Sequence, residues 1–216
     1  MDGRVLHFHL AGVNHQNLLL SDEETGSWWQ QITGECILGP LKGKRLRRIA
    51  SDEVKLATWR AERPESRVVK FEPRHLSDYE PADWEARAKM TGPRELVVGI
   101  DQDGVSAAYA LASLQKQSPL NVQVGRTPIL LVVDADGNGV RSFVRPTVDA
   151  KPLEFYRRNG EETLVDSATG SSWNFSGKAT AGPLAGRTLE PVQNTKDYWF
   201  DWNRYHPGIA LSRMGQ

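Results

Sequence analysis

His7 and His9 alternate along Val5-Leu-His-Phe-His-Leu10, a stretch that reads as a β-strand. Side chains two apart on a strand share one face, with their Cα atoms roughly 7 Å apart. His15 follows after a break at Gly12 and can fold back beside them. Three imidazoles are enough for a zinc or copper site, so His7, His9 and His15 are the first candidate constellation. The spacing fixes no flanking carboxylate, and His-x-His alone is a sparse motif.

Ser27, His15 and Asp22 supply the residue types of a hydrolytic triad. Ser27 follows Gly26 with no Gly-x-Ser-x-Gly elbow around it. A related segment carries Asp166 and Ser171 but has no histidine where His15 stands. Asp134-Ala-Asp-Gly-Asn-Gly139 starts like a calcium loop, yet Arg145 stands where the bidentate acid belongs and the flanks read as strands. A hairpin turn is the expectation there.

The related segment is one half of an internal repeat. Asp22-Glu-Glu-Thr-Gly-Ser-Trp-Trp29, Gly34, Gly39-Pro-Leu-Lys-Gly43 and Leu46 match Asp166-Ser-Ala-Thr-Gly-Ser-Ser-Trp173, Gly177, Gly182-Pro-Leu-Ala-Gly186 and Leu189. The register continues from Leu46 to Trp59 and Pro64, as from Leu189 to Trp202 and Pro207. Asp-x-x-Thr-Gly-Ser suits a tight turn: the Asp side chain accepts nearby N–H groups and Gly takes a positive φ. Trp29 and Trp173 are expected in the core, with Leu41 and Leu184 as anchors. The functional alternative is a pair of equivalent ligand sites built on Asp22, Thr25 and Ser27, and on Asp166, Thr169 and Ser171.

Adjacent strand residues face opposite ways, so Trp28 is expected on the outer face, where Ser172 stands in the second copy. An exposed Trp anchors partners, which makes a Trp28 patch the candidate surface for a protein partner. The basic cluster Lys42-Gly-Lys-Arg-Leu-Arg-Arg48 reads as a solvated strand edge. Cys36, the one cysteine, aligns with Ala179 and reads as a small buried hydrophobe.

The elements that must hold these residues are mostly short strands. They are expected at 5–10, 17–20, 28–38, 46–49, 68–71, 96–100, 105–109, 122–124, 129–133 and 140–144. Asp101-Gln-Asp-Gly104 marks a hairpin. Ser51 is placed to cap a helix ending before Pro64, Pro81–Met90 and Ala110–Gln117 read as helices, and Tyr198, Trp199, Trp202 and Tyr205 form one aromatic helical face. The class is α+β, strand-dominant, with internally duplicated β-rich halves. The first repeat spans 1–74, a linker with a helix spans 75–93, and a second, more complete repeat spans 94–216. The halves are expected to pack through the helix faces holding Trp59 and Trp202.

The doubled Asp-x-x-Thr-Gly-Ser-x-Trp and Gly-Pro-Leu-x-Gly-x-x-Leu, with a Trp ahead of a Pro, resembles the DUF3179 family, a bacterial and archaeal group of unknown function. Val97-Val-Gly-Ile-Asp-Gln-Asp-Gly-Val-Ser-Ala-Ala-Tyr-Ala-Leu111 is similar to the family's Gly-x-x-x-Gly-x-x-x-Ala-Tyr-x-Leu stretch, and Gly12-Val-Asn-His-Gln-Asn17 to a Gly-x-x-His-x-Asn seen in a subset. The resemblance implies a fold neighbourhood and no reaction. It also implies relatives that are longer at the N-terminus and exported or membrane-anchored. Those relatives commonly carry a Cys-x-x-Cys-like pair, which this chain lacks.

The 216 residues carry 27 Lys plus Arg against 27 Asp plus Glu, a formal net charge of zero. That balance lacks the footprint of non-specific nucleic-acid binding, so no nucleic-acid partner is expected. The longest apolar runs, such as Ile129–Val133, are too short to span a bilayer. One cysteine allows no internal disulfide, and no signal-peptide stretch is seen, so the default location is cytoplasmic unless a leader lies upstream. The leading functional expectation is a non-enzymatic binding or assembly module. A metal protein using His7, His9 and His15 is the rival, and a hydrolase using Ser27 and His15 comes third.

Overall fold

The computed structural model describes residues 1, 3–14, 17–69, 94–158 and 162–213. His15, the expected helix over 81–90 and residues 70–71 of an expected strand lie outside these residues. The chain forms two compact units, Met1–Ala50 with Asp201–Gly208, and Ser51–Phe200 with Ile209–Gln216.

The first unit is built on a four-stranded antiparallel sheet of β1 (Phe8–Asn14), β2 (Asn17–Asp22), β3 (Trp28–Gln30) and β4 (Cys36–Leu38), in that order. Phe8 pairs with Asp22, Leu10 with Leu20, Leu20 with Trp29, and Trp29 with Cys36. A bulge at Ala11 shifts the register so that Val13 pairs with Leu18. From the first unit's later segment, Asp201 accepts from the Asn17 amide at 2.6 Å, and the Tyr205 hydroxyl donates to the Asn14 carbonyl at 2.8 Å.

The second unit opens with α1 (Leu56–Glu62). β5 (Leu96–Gln102) and β6 (Val105–Ala110) then form the expected hairpin, with Asp103 and Gly104 at positive φ. After α2 (Leu111–Gln117) come β7 (Leu120–Val124), β8 (Thr127–Val133), β9 (Val140–Val144) and a small hairpin of β10 (Thr147–Val148) and β11 (Lys151–Pro152). The second repeat sheet follows as β12 (Phe155–Arg157), β13 (Leu164–Asp166), β14 (Ser172–Trp173) and β15 (Ala179–Ala181). β16 (Pro191–Val192), β17 (Asn194–Tyr198), α3 (Trp199–Tyr205) and β18 (Leu211–Ser212) close the chain.

Three sheets stack in this unit, and β8 explains why. Its run Ile129-Leu-Leu-Val-Val133 is buried on both faces, which is why it reads as continuous rather than alternating. Ile129, Leu131 and Val133 enter one core with Val98, Ile100, Tyr109 and Leu114. Leu130 and Val132 enter another with Phe143, Leu153, Phe155, Leu164 and Trp173. The sheet ordered β16-β9-β8-β7 is therefore the middle layer. Sheet β17-β5-β6-β18 lies on one side of it and sheet β12-β13-β14-β15 on the other. Each buried aliphatic contributes about 1.5–3 kcal/mol relative to exposure.

Several expected elements differ. Residues 46–49 form no strand: Arg45 makes a single bridge to Glu35, and the Leu46 N–H bonds Gly34 in the turn instead. Ser51 caps no helix. Its N–H and hydroxyl bond Gln193, and α1 starts only at Leu56, with no side-chain cap at Lys55. Val68 and Val69 are exposed and irregular. Of the expected aromatic helical face, Tyr198 ends β17 instead and only Trp202 is buried, at 1% exposed, while α1 buries no residue and Trp59 stays 36% exposed.

The two helices carry their tryptophans alike. Trp59 and Trp202 are each the fourth residue of their helix, and each accepts a closing bond, from Arg63 and His206 respectively. Yet α1, which follows the first copy, belongs to the second unit, where Asp52 and Glu62 grip Arg141 of β9. Residues 201–208, which follow the second copy, belong to the first unit.

Candidate functional site

The repeated turn is a closed hydrogen-bond lattice. Asp22 accepts from the Thr25 backbone N–H at 2.7 Å, the Thr25 hydroxyl at 2.8 Å and the Trp29 indole at 2.7 Å. The Thr25 and Ser27 hydroxyl oxygens are 2.6 Å apart, and the Leu41 N–H donates to Ser27 Oγ at 3.1 Å. An ionised Asp22 only accepts, so the proton order runs one way: Leu41 to Ser27, Ser27 to Thr25, Thr25 to Asp22. The second copy repeats this with Thr169, Ser171, Trp173 and Leu184 around Asp166. Asp22, Ser27, Asp166 and Ser171 are each 0% exposed.

Burial pushes both carboxyls up. The bonds from indole, threonine and backbone N–H groups outweigh it, so Asp22 and Asp166 sit below their ordinary value. The lattice directs the Ser27 proton to Thr25, and so offers none to a general base. Gly39 and Gly182 close it from outside. A Cβ at either would lie 2.7 Å from the Cα of Ser27 or Ser171, and both have positive φ.

His7 and His9 do not join this lattice. His7 is exposed, with its ring nitrogen 2.6 Å from Glu24 Oε1 and its N–H bonded to Oε2. That hydrogen bond, then the charge of Glu24, raises the His7 pKa. His9 is exposed on the opposite face of β1 from Phe8. Among the described residues no three His, Cys, Asp or Glu converge as a metal would need. The Asp134–Gly139 loop is the expected turn, closed by the Asp134 N–H on the Gly139 carbonyl. Trp28 is half-buried between Ser21 and Leu38, on the face opposite Trp29. Cys36 is fully buried, as its neighbours predict.

The feature that residue-by-residue reading missed is a whole face. Phe8, Leu10 and Val13 on β1 lie with Leu18 and Leu20 on β2 on the side that holds Trp29 and Cys36. Leu10 is 62% exposed, Val13 64%, Leu18 40% and Phe8 38%. Strand pairing fixes the equivalences, since Phe155 pairs with Asp166 and Leu164 with Trp173. Phe8 and Phe155 even meet their tryptophans alike, edge-on at 5.9 and 5.7 Å. In the second copy Phe155 is 3% exposed and Leu164 1%, because Leu130, Val132 and Phe143 of the middle sheet cover them. The signal was present in the alternation of Phe8 with Leu10 and of Leu18 with Leu20. What was missing was any sequence cue to the cover.

No described helix is long and apolar enough to cross a membrane. Searches of curated proteins and of solved structures find no significant match. The model of one family, described as a protein of unknown function (DUF3179), matches residues 1–209. With nearly the whole chain matched and both copies of the motif built alike, this protein belongs to the DUF3179 family.

Proposed function

We propose that this protein is a non-enzymatic binding or assembly module, and that the first-copy sheet is its working surface. The observation that carries the reading is the contrast between Phe8 and Phe155: one sheet is built twice, and one copy keeps its apolar face open. A contiguous exposed apolar face marks an interaction site more often than a scatter of single residues does. The copies share the buried Asp-Thr-Ser-Trp lattice, which is scaffold chemistry. They differ in what stands over the sheet. Trp28, half-buried, and exposed Leu38 lie on the opposite face of the same sheet and offer a separate contact for a partner protein.

The test places a photoreactive amino acid at position 10 of the full chain in its native host. A discrete cross-linked protein species, lost when the same group sits at exposed Glu65, is the expected result. Absence of any specific product at position 10 overturns the reading.

A further inference from the structure

We infer that a cavity beside the second copy's turn binds a small zwitterion, an α-amino acid with an apolar side chain. The site is separate from the open sheet face and does not depend on it. The cavity holds about 650 Å³, within the range of roughly 300–1,000 Å³ usual for small-molecule sites. Arg145, just past β9, forms one wall. Asp149 and Lys151 of the β10–β11 hairpin, Glu154, and Ala168 of the repeated turn form the others.

Arg145 supplies the first observation. It is 8% exposed. Its Nη1 donates to the Leu153 carbonyl at 3.1 Å and its Nη2 to the Val122 carbonyl at 3.2 Å. A hydrogen on each Nη is left unused, and the buried Nε has no partner among the described residues. Arg141 is gripped by Glu62 and Asp52, but no described carboxylate lies within ion-pair distance of Arg145. Burial pulls its pKa down, and only the charge of Glu154 opposes this. Buried charges are ordinarily paired, so Arg145 calls for an anion.

The repeat supplies the second observation, because the first copy fills the matching place from its own chain. Strand pairing makes Glu154 the counterpart of His7 and Ala168 that of Glu24. The backbones agree: Glu23 N–H donates to the His7 carbonyl as Ser167 N–H donates to that of Glu154. In the first copy the Glu24 carboxylate accepts from the His7 N–H at 2.9 Å and lies 2.6 Å from the His7 ring nitrogen. In the second copy Ala168 brings no carboxylate, and no described group accepts from the Glu154 N–H. A ligand carboxylate placed there meets that N–H and the charge of Arg145. The rim then selects the rest of the molecule. Asp149 and Glu154 repel a second anionic group and favour an ammonium, while Val148 and Pro152 give an apolar wall.

The test titrates the full chain calorimetrically with L-valine, L-leucine, L-methionine and L-phenylalanine in turn. Saturable binding of at least one is expected. The amide of that amino acid, which lacks the carboxylate, and the matching acid without its amino group should each bind at least tenfold more weakly. Ala168→Glu restores the carboxylate that the first copy carries, at an exposed turn position, and should abolish binding with the melting temperature retained. Arg145→Gln should weaken binding at least tenfold, but it also disturbs two backbone contacts, so Ala168→Glu is the deciding variant. No binding of any of the four amino acids overturns the inference. So does binding that Ala168→Glu leaves intact, or an amide or deaminated acid that binds as tightly as the amino acid. Leu10→Asp, on the open face, should leave this binding unchanged, so the position-10 cross-link and this titration fail independently.

Discussion

The Trp29 indole donates to the Asp22 carboxylate at 2.7 Å inside a sheet where both residues are 1% exposed or less. Trp173 and Asp166 repeat the bond at 3.0 Å. This pair ties the turn that opens each copy to the strand that follows it. Asp22→Ala and Asp166→Ala each strand an indole N–H, a hydroxyl and a backbone N–H. Each is expected to cost about 3 kcal/mol or more in chemical denaturation. Asp22→Asn, which still accepts, should cost less than Asp22→Ala.

Gly39 and Gly43 both have positive φ, but only Gly39 is crowded. Gly39→Ala drives a Cβ into Ser27 and should destabilise by about 2–4 kcal/mol. Gly43→Ala meets open space and should cost about 1 kcal/mol from backbone strain alone. Gly182 and Gly186 should reproduce the pair. Equal costs at the crowded and open positions would contradict the closed lattice.

Asp22 and Asp166 hold protons more weakly folded than unfolded. Their stabilisation is complete above the ordinary carboxylate value of 3.8 and is lost as pH falls through their lower folded values. Denaturation midpoints should decline on acidification below that range, and the Asp22→Asn, Asp166→Asn double variant should show a shallower decline.

His7 carries the opposite sign. Its folded pKa is raised above 6.5 by Glu24, so the pair's contribution is present below that value and disappears as pH rises through the folded one. Proton NMR titration should place His7 above 6.5 and Glu24→Gln should bring it down. The pair is exposed, so global stability should barely change. Zinc or copper that shifts the His7 and His9 resonances together at stoichiometric amounts would revive the metal reading.

Arg141 is 4% exposed and is held by Glu62 at 2.7 and 2.8 Å and by Asp52 at 2.8 Å, with Phe175 4.6 Å below the guanidinium. Burial pushes its pKa down, and the two carboxylates more than restore it. Arg141→Ala should cost about 3–5 kcal/mol, since it leaves Glu62 and Asp52 facing each other. Arg141→Lys should rescue only part of that, because a lysine cannot make the forked contact.

The turns were legible because their chemistry is local. Asp, Thr, Gly and Ser at fixed spacing can do little other than what Asp22–Ser27 does, and the repetition at Asp166–Ser171 confirmed the register. The β5–β6 hairpin and the doubly buried β8 were readable for similar reasons. Ser51 misled because capping competes with distant partners, and Gln193 won. The strand expected at 46–49 failed because an edge run needs a neighbour, and Leu46 found Gly34 instead. That α1 belongs to one unit and residues 201–208 to the other left no local mark at all. Nor did the open face: Leu10 and Leu20 look alike in sequence whether covered or bare, and only the full set of long-range pairings separates them.

The membership of residues 201–208 in the first unit also sets an order of events. The first sheet is synthesised before residues 51–200, and residues 201–208 that complete its unit only after them. A nascent first sheet must therefore wait, with both apolar faces bare, for a late and entropically costly closure. Ending the chain before Asp201 should thus unravel the first sheet, although residues 51–200 lie between it and the cut.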